Sequence, residues 1–112
     1  MSTRLPGAKY KRVFDRGRSV KGRLLVAWCF SSPDADRLAG VVVSKKTFHD
    51  AVDRNRAKRL MREAYRLLEK EGATPEHTEW VFVAKREIGG KMCSDVSKEM
   101  KWVFSRVSCP AS

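Results

Sequence analysis

The sequence predicts an α+β domain, one sandwich over residues 1–112 whose elements run α-β-β-β-α-β-α around a small mixed sheet. Three observations point there. Apolar residues recur at helical spacing near the N-terminus, across residues 52–68 and again after Gly90. Between these stretches the period falls to two, first from Ser19 and later from Trp80. The chain has 112 residues with 42% hydrophobic content, enough for one modest core and no second domain.

The first helix is expected over residues 7–16, because Tyr10, Val13 and Phe14 fall at i, i+3 and i+4 and Gly17 is placed to stop it. Arg4, Lys9, Lys11, Arg12, Arg16 and Arg18 surround that stripe. From Ser19 the pattern turns to strand. Leu24, Val26, Trp28 and Phe30 alternate with Leu25, Ala27 and Cys29 up to a turn at Ser31-Ser32-Pro33-Asp34. Both faces of this strand are apolar, so it is expected at the centre of the sheet, under the basic helix on one side and facing the first helix or a cleft on the other. A polar connection, Asp34-Ala35-Asp36-Arg37, leads into a strand over residues 38–44.

Lys45-Lys46 and the turn Thr47-Phe48-His49-Asp50 precede the second helix, for which Asp50 is the favoured N-cap. At 100° per residue, Ala57, Leu60, Met61, Ala64 and Leu68 share one side and Asn55, Arg59, Arg62 and Arg66 the other. Gly72 ends the helix, and a loop through Thr74-Pro75 follows. Trp80-Val81-Phe82-Val83-Ala84 reads as a strand closed by Lys85-Arg86. Beyond Gly89-Gly90, the spacing of Val96, Met100, Val103, Phe104 and Val107 predicts a last amphipathic helix, with Trp102 off its apolar stripe and partly exposed.

Function is expected on the second helix. Between Val52 and Arg66 six cations, Arg54, Arg56, Lys58, Arg59, Arg62 and Arg66, meet only two carboxylates, Asp53 and Glu63. Neighbouring like charges on a helix repel by a few tenths of a kcal/mol per pair, so such a face is more comfortable against a polyanion. Guanidinium forks suit phosphate oxygens. The whole chain points the same way, with 24 lysines and arginines against 13 carboxylates and a formal charge of +11. Nucleic acid and anionic membranes are the partners such an excess favours, and no apolar run approaches the roughly 20 residues of a bilayer span. A basic N-terminus without an apolar core makes the cytoplasm the default address.

Other chemistry is poorly represented. Cys29, Cys93 and Cys109 are odd in number and widely spaced, which suits reduced thiols, and His49 and His77 begin no ligand pair. A nuclease centre needs several converging carboxylates, whereas Asp34, Asp36, Asp50 and Asp53 occupy a turn and a basic helix start. No catalytic or metal-binding residue is therefore assigned, and the isolated chain is expected to be inactive.

Ser44-Lys45-Lys46, followed by Ala51-Val52-Asp53-Arg54-Asn55-Arg56-Ala57-Lys58-Arg59-Leu60-Met61-Arg62-Glu63-Ala64-Tyr65-Arg66, resembles the signature of the bacterial ribonuclease P protein subunit. Tyr10-Lys11-Arg12-Val13-Phe14 before Gly17, and the strand carrying Trp28, resemble that family's first helix and aromatic strand. Phe48-His49-Asp50, where relatives often carry glycine or another small residue, and Leu5-Pro6-Gly7 depart from the pattern.

The resemblance implies the fold of the second domain of ribosomal protein S5, with a left-handed crossover at the basic helix where the general rule for parallel strands would expect a right-handed one. It implies a protein that binds a catalytic RNA and the 5′ leader of precursor tRNA, assisting leader removal. Mg2+ would be held mainly by the RNA, with no organic cofactor and no obligate protein partner. Carried over by position, Lys45, Lys46, Arg54, Asn55, Arg56, Lys58, Arg59, Arg62 and Arg66 would meet the catalytic RNA, and Tyr10, Lys11, Phe14 and Trp28 the leader. Lys9, Arg12 and Arg16 would add charge beside those rings. The protein would neutralise phosphate repulsion, hold the leader and so raise metal occupancy in the RNA. Two other readings share the charge: a ribosome-associated or RNA-chaperone protein, and a major-groove DNA-binding module, which would need a short helix before the recognition helix rather than a strand and two lysines.

Overall fold

The computed structural model describes residues 5–33, 35, 38–75 and 77–107. Arg4, Asp34, Asp36, Arg37 and Cys109, which figure in the sequence reading, lie outside them. Helix α1 spans Gly7–Arg16, strands β1, β2 and β3 span Arg18–Lys21, Leu25–Ser31 and Leu38–Val42, helix α2 spans Ala51–Lys70, strand β4 spans Thr78–Ala84 and helix α3 spans Cys93–Val107. The predicted α-β-β-β-α-β-α order holds, with one turn of 3-10 helix added at Arg86–Ile88. The strands form one mixed sheet in the order β1-β2-β4-β3. β2 runs antiparallel to both β1 and β4, while β3 and β4, joined through α2, are parallel.

The alternating stretch from Ser19 contains two of the three strands that precede α2, β1 and β2. Its break lies at residues 22–24, where the Glu99 carboxylate on α3 accepts the backbone N–H groups of Arg23, Leu24 and Leu25 at 3.0, 2.8 and 3.0 Å. Lys85 Nζ donates to Gly22 O at 3.1 Å from the other side. A side chain at Gly22 would strike the Glu99 carboxylate, with Cδ 2.7 Å away. The turn is thus held by a residue more than 70 positions downstream.

The two faces of the sheet have different covers. On one, Leu25, Ala27, Cys29, Trp80, Phe82 and Ala84 join Ala57, Met61, Ala64, Tyr65 and Leu68 of α2 and Val96, Met100, Val103 and Phe104 of α3 in the main core. Trp80 and Phe82 stack with centroids 5.6 Å apart, and Phe104 packs 4.9 Å from Trp80. β2 is interior as expected, but α2 packs against β3 and β4 while α3 covers the β1 side. On the other face, the smaller helix α1 inserts Val13 against Val81 and leaves Tyr10, Phe14, Trp28, Phe30 and Val83 half-buried around it.

Helix ends follow local chemistry with two corrections. Gly72, at φ +73°, closes α2 in a Schellman motif: its N–H donates to Glu69 O at 3.0 Å and that of Ala73 to Leu68 O at 2.9 Å. Asp50 occupies the α2 N-cap position, yet its side chain makes no capping hydrogen bond. Gly17 stops α1 for a reason other than a left-handed turn, since its φ is −85°. A Cβ there would lie 2.6 Å from Cys29 O and strike Val13 O, so glycine lets the helix end press against β2.

Candidate nucleic-acid interface

The turn after β3 and the outer side of α2 bring together the cations expected to meet a polyanion. Lys45, Lys46, Asn55, Arg56, Arg59 and Arg66 are exposed, and Lys58 and Arg62 are half-buried at the flank of the row. The helix orients them because Ala57, Met61, Ala64 and Leu68 anchor its opposite side in the core. Among the described residues Lys45, Lys46, Arg56, Lys58, Arg59 and Arg66 form no ion pair with a carboxylate. These six side chains therefore carry charge that no described carboxylate pairs with, the arrangement that attracts phosphates and releases their counterions.

Arg54 differs from its neighbours. It is half-buried, and its Nη1 donates to Phe48 O at 3.0 Å and His49 O at 2.8 Å, buckling the turn before the helix against the first helical turn. At least one of its donors thus serves the fold. Arg62 also stands apart, lining a hollow with Leu5, Gly7, Tyr10 and Gly40 between α2 and the start of α1.

The opposite side of the sheet gathers the aromatic residues. Phe14 and Trp28 meet edge to face, with centroids 5.3 Å apart and planes at 77°. Tyr10 lies over β3 at Gly40, where an added Cβ would be within 2.5 Å of the Tyr10 ring carbon Cζ. All three rings are half-buried, so each keeps an accessible part beside the core residue Val13. Lys11 is exposed and pairs with Asp15 at 3.4 Å, an i,i+4 contact worth a few tenths of a kcal/mol at most.

The charge expected beside those rings is only partly free for a ligand. Glu79 on β4 is fully buried beneath α1 and accepts from Lys9 Nζ at 3.2 Å and Arg12 Nη2 at 2.6 Å. The Arg12 guanidinium also covers the Phe30 ring, 4.7 Å from its centroid. Lys9 and Arg12 are thus structural cations that fasten α1 to the sheet, whereas Arg16 is exposed. Sequence reasoning missed Glu79, although one carboxylate alternating with Val81 and Val83 on an apolar face was the signal.

Cysteine and metal chemistry have little foothold here. Cys29 is a buried free thiol whose pKa burial pushes up to about 12, and desolvation likewise raises that of half-buried Cys93. No group of three or more His, Cys, Asp or Glu among the described residues could hold a metal ion. The described helices include none long and apolar enough to cross a membrane.

Comparison with known proteins agrees over almost the whole chain. A family model, Ribonuclease P, matches residues 5–108. The ribonuclease P protein component of an Exiguobacterium strain is 38% identical over 98 residues, covering 88% of this chain and 82% of that protein. The ribonuclease P protein structures from Thermotoga maritima and Staphylococcus aureus superpose with TM-scores of 0.77 and 0.73 at 21% identity. They cover 92% and 96% of this chain and 96% of their own.

Proposed function

The chain belongs to the ribonuclease P protein family, a subunit of the endoribonuclease that matures tRNA 5′ ends, and from that premise we propose that it works through two surfaces. Its partner is the ribonuclease P RNA. Lys45, Lys46, Arg54, Asn55, Arg56, Lys58, Arg59, Arg62 and Arg66 meet that RNA, and Tyr10, Lys11, Phe14 and Trp28 receive the single-stranded leader of precursor tRNA. The observation that carries this reading is that the exposed cations Arg56, Arg59 and Arg66 of α2 and the Phe14–Trp28 pair belong to opposite faces of the sheet.

The two surfaces do different work. Cations on α2 relieve repulsion among RNA phosphates and hold the protein in register on the catalytic RNA. In the cleft, a leader base stacked on Phe14 or Trp28 contributes on the order of 1–3 kcal/mol with little sequence preference, which suits a protein that handles many leaders. Leader phosphates passing Lys11 and Arg16 add a salt-sensitive component.

Magnesium is a cofactor of the reaction, and the described residues of this chain do not suit it. Asp50 and Asp53 sit at the start of a helix dominated by arginine, and no second carboxylate cluster accompanies them. We assign the metal and the chemical step to the RNA, and binding and positioning to the protein, in the cytoplasm. About six to eight phosphate contacts give a log-log salt slope of roughly −4 to −6 for the complex. The test is reconstitution. Adding the protein to a bacterial ribonuclease P RNA at low magnesium stimulates leader removal, and an absence of stimulation refutes the assignment. An RNA chaperone without a role in cleavage would bind the RNA and leave the rate unchanged.

A further inference from the structure

A second cationic region lies around α3 and the β1–β2 turn, away from the aromatic cleft. Trp102 is 45% exposed there, the Arg106 guanidinium sits 5.2 Å from its ring centroid, and its indole lines a hollow of about 430 Å3 with Lys21, Gly22, Arg23 and Glu99. The adjoining hollow, about 290 Å3, is shared through Arg23 and Glu99 and adds Lys91 and Lys98. Lys91 also lines the groove beside Arg56 and Arg59 of α2. The three form a chain of hollows that turns the end of the molecule and begins at the arginine row.

Four carboxylates line this path, Asp53 and Glu63 at its α2 end and Asp95 and Glu99 beside α3, against the cations Arg56, Arg59, Lys91, Lys98, Arg23 and Lys21. Glu99 accepts three backbone N–H groups, and Asp95 accepts that of Met92 at 3.0 Å at the start of α3. Lys21, Arg23, Lys91 and Lys98 form no ion pair among the described residues. With six cations against four carboxylates the path keeps a net positive charge and ends in one exposed indole, and a lone ring between cations suits an unstacked base flanked by phosphates. A bilayer surface would call for a broader apolar face.

We propose that this track binds a further segment of the ribonuclease P RNA, with an unpaired base stacked on Trp102 and its flanking phosphates on Lys21, Arg23, Lys91 and Lys98. It extends the RNA surface assigned to α2 and rests on that assignment. The continuity with the α2 groove through Lys91 favours the catalytic RNA over the leader.

The test measures the affinity of the full chain for the ribonuclease P RNA, and its preference for precursor over mature tRNA in the reconstituted complex, for Trp102→Ala, Trp102→Phe and Arg59→Ala. Trp102→Ala weakens RNA affinity about tenfold, with melting temperature and precursor preference unchanged, and Trp102→Phe restores most of it. The double variant Lys21→Ala, Lys98→Ala shallows the salt slope by about one to two. Unchanged affinity for Trp102→Ala beside a weakened Arg59→Ala overturns this proposal and leaves the α2 surface standing. Loss of precursor preference alone in Trp102→Ala assigns the track to the leader and also overturns it. If Arg59→Ala is without effect, the α2 assignment itself fails.

Discussion

The two sides of the sheet, to which we assign the catalytic RNA and the leader, differ in their electrostatics. On α2, Arg56, Arg59 and Arg66 stand exposed and form no ion pair among the described residues, so their charge is available to whatever polyanion arrives. On α1 the cations that point inward are fastened to Glu79, and rings rather than free charge line the opening. The lesson is that positive residues near a binding surface are not interchangeable. Some recruit the ligand, and others shape the pocket that receives it.

Removing the buried anchor is the strongest way to break this contrast. Glu79→Ala removes the buried carboxylate to which Lys9 and Arg12 donate. With those cations about one-third exposed, water takes up part of the loss, and the substitution costs about 2–3 kcal/mol by urea titration. Because Glu79 fastens α1 through Lys9 and Arg12, affinity for the catalytic RNA changes little under conditions where the variant is folded, while precursor preference falls. Equal losses on both would show that the sides are coupled.

A smaller effect comes from the close approach of α1 to β2. Gly17→Ala pushes a methyl group against Val13 O and Cys29 O, both backbone atoms, and destabilises the fold by about 1–2 kcal/mol after the unfolded chain's entropy is counted. Thermal melting measures it, and a rise in stability would show that the helix end has room to move.

At neutral pH the smallest effect is at Cys29, in the core beneath α2 and α3. Cys29 has its thiol pKa raised by burial to about 12 from 9.0, so its contribution to stability is complete below about pH 9 and is lost as pH rises through 12. At neutral pH an alkylating reagent modifies Cys93 well before Cys29, which reacts only on unfolding, as peptide mass mapping would record. Early labelling of Cys29 would mean that the core opens locally.

Much of this contrast was legible in the sequence and part of it was not. The arginine row was readable because a helix converts spacing directly into faces, and Ala57, Met61, Ala64 and Leu68 fixed which face turned inward. The predicted limits of α1 also match the structure, while β3 ends at Val42 and β4 begins at Thr78. The break in the first hairpin was hidden because its stabiliser, Glu99, lies on the last helix. Glu79 was hidden for the same reason: its partners come from α1, 67 and 70 positions away. Local pattern reports faces and ends, whereas a buried charge or a turn held from afar depends on contacts that spacing does not encode.

The central claim is that the surfaces are separable, and one crossed measurement tests it. Arg59→Ala and Phe14→Ala are compared in the reconstituted complex for affinity to the ribonuclease P RNA and for preference of precursor over mature tRNA. The account predicts that Arg59→Ala lowers RNA affinity about 5- to 30-fold with preference intact, and that Phe14→Ala lowers preference about 5- to 100-fold with RNA affinity intact. The same profile for both variants would contradict it.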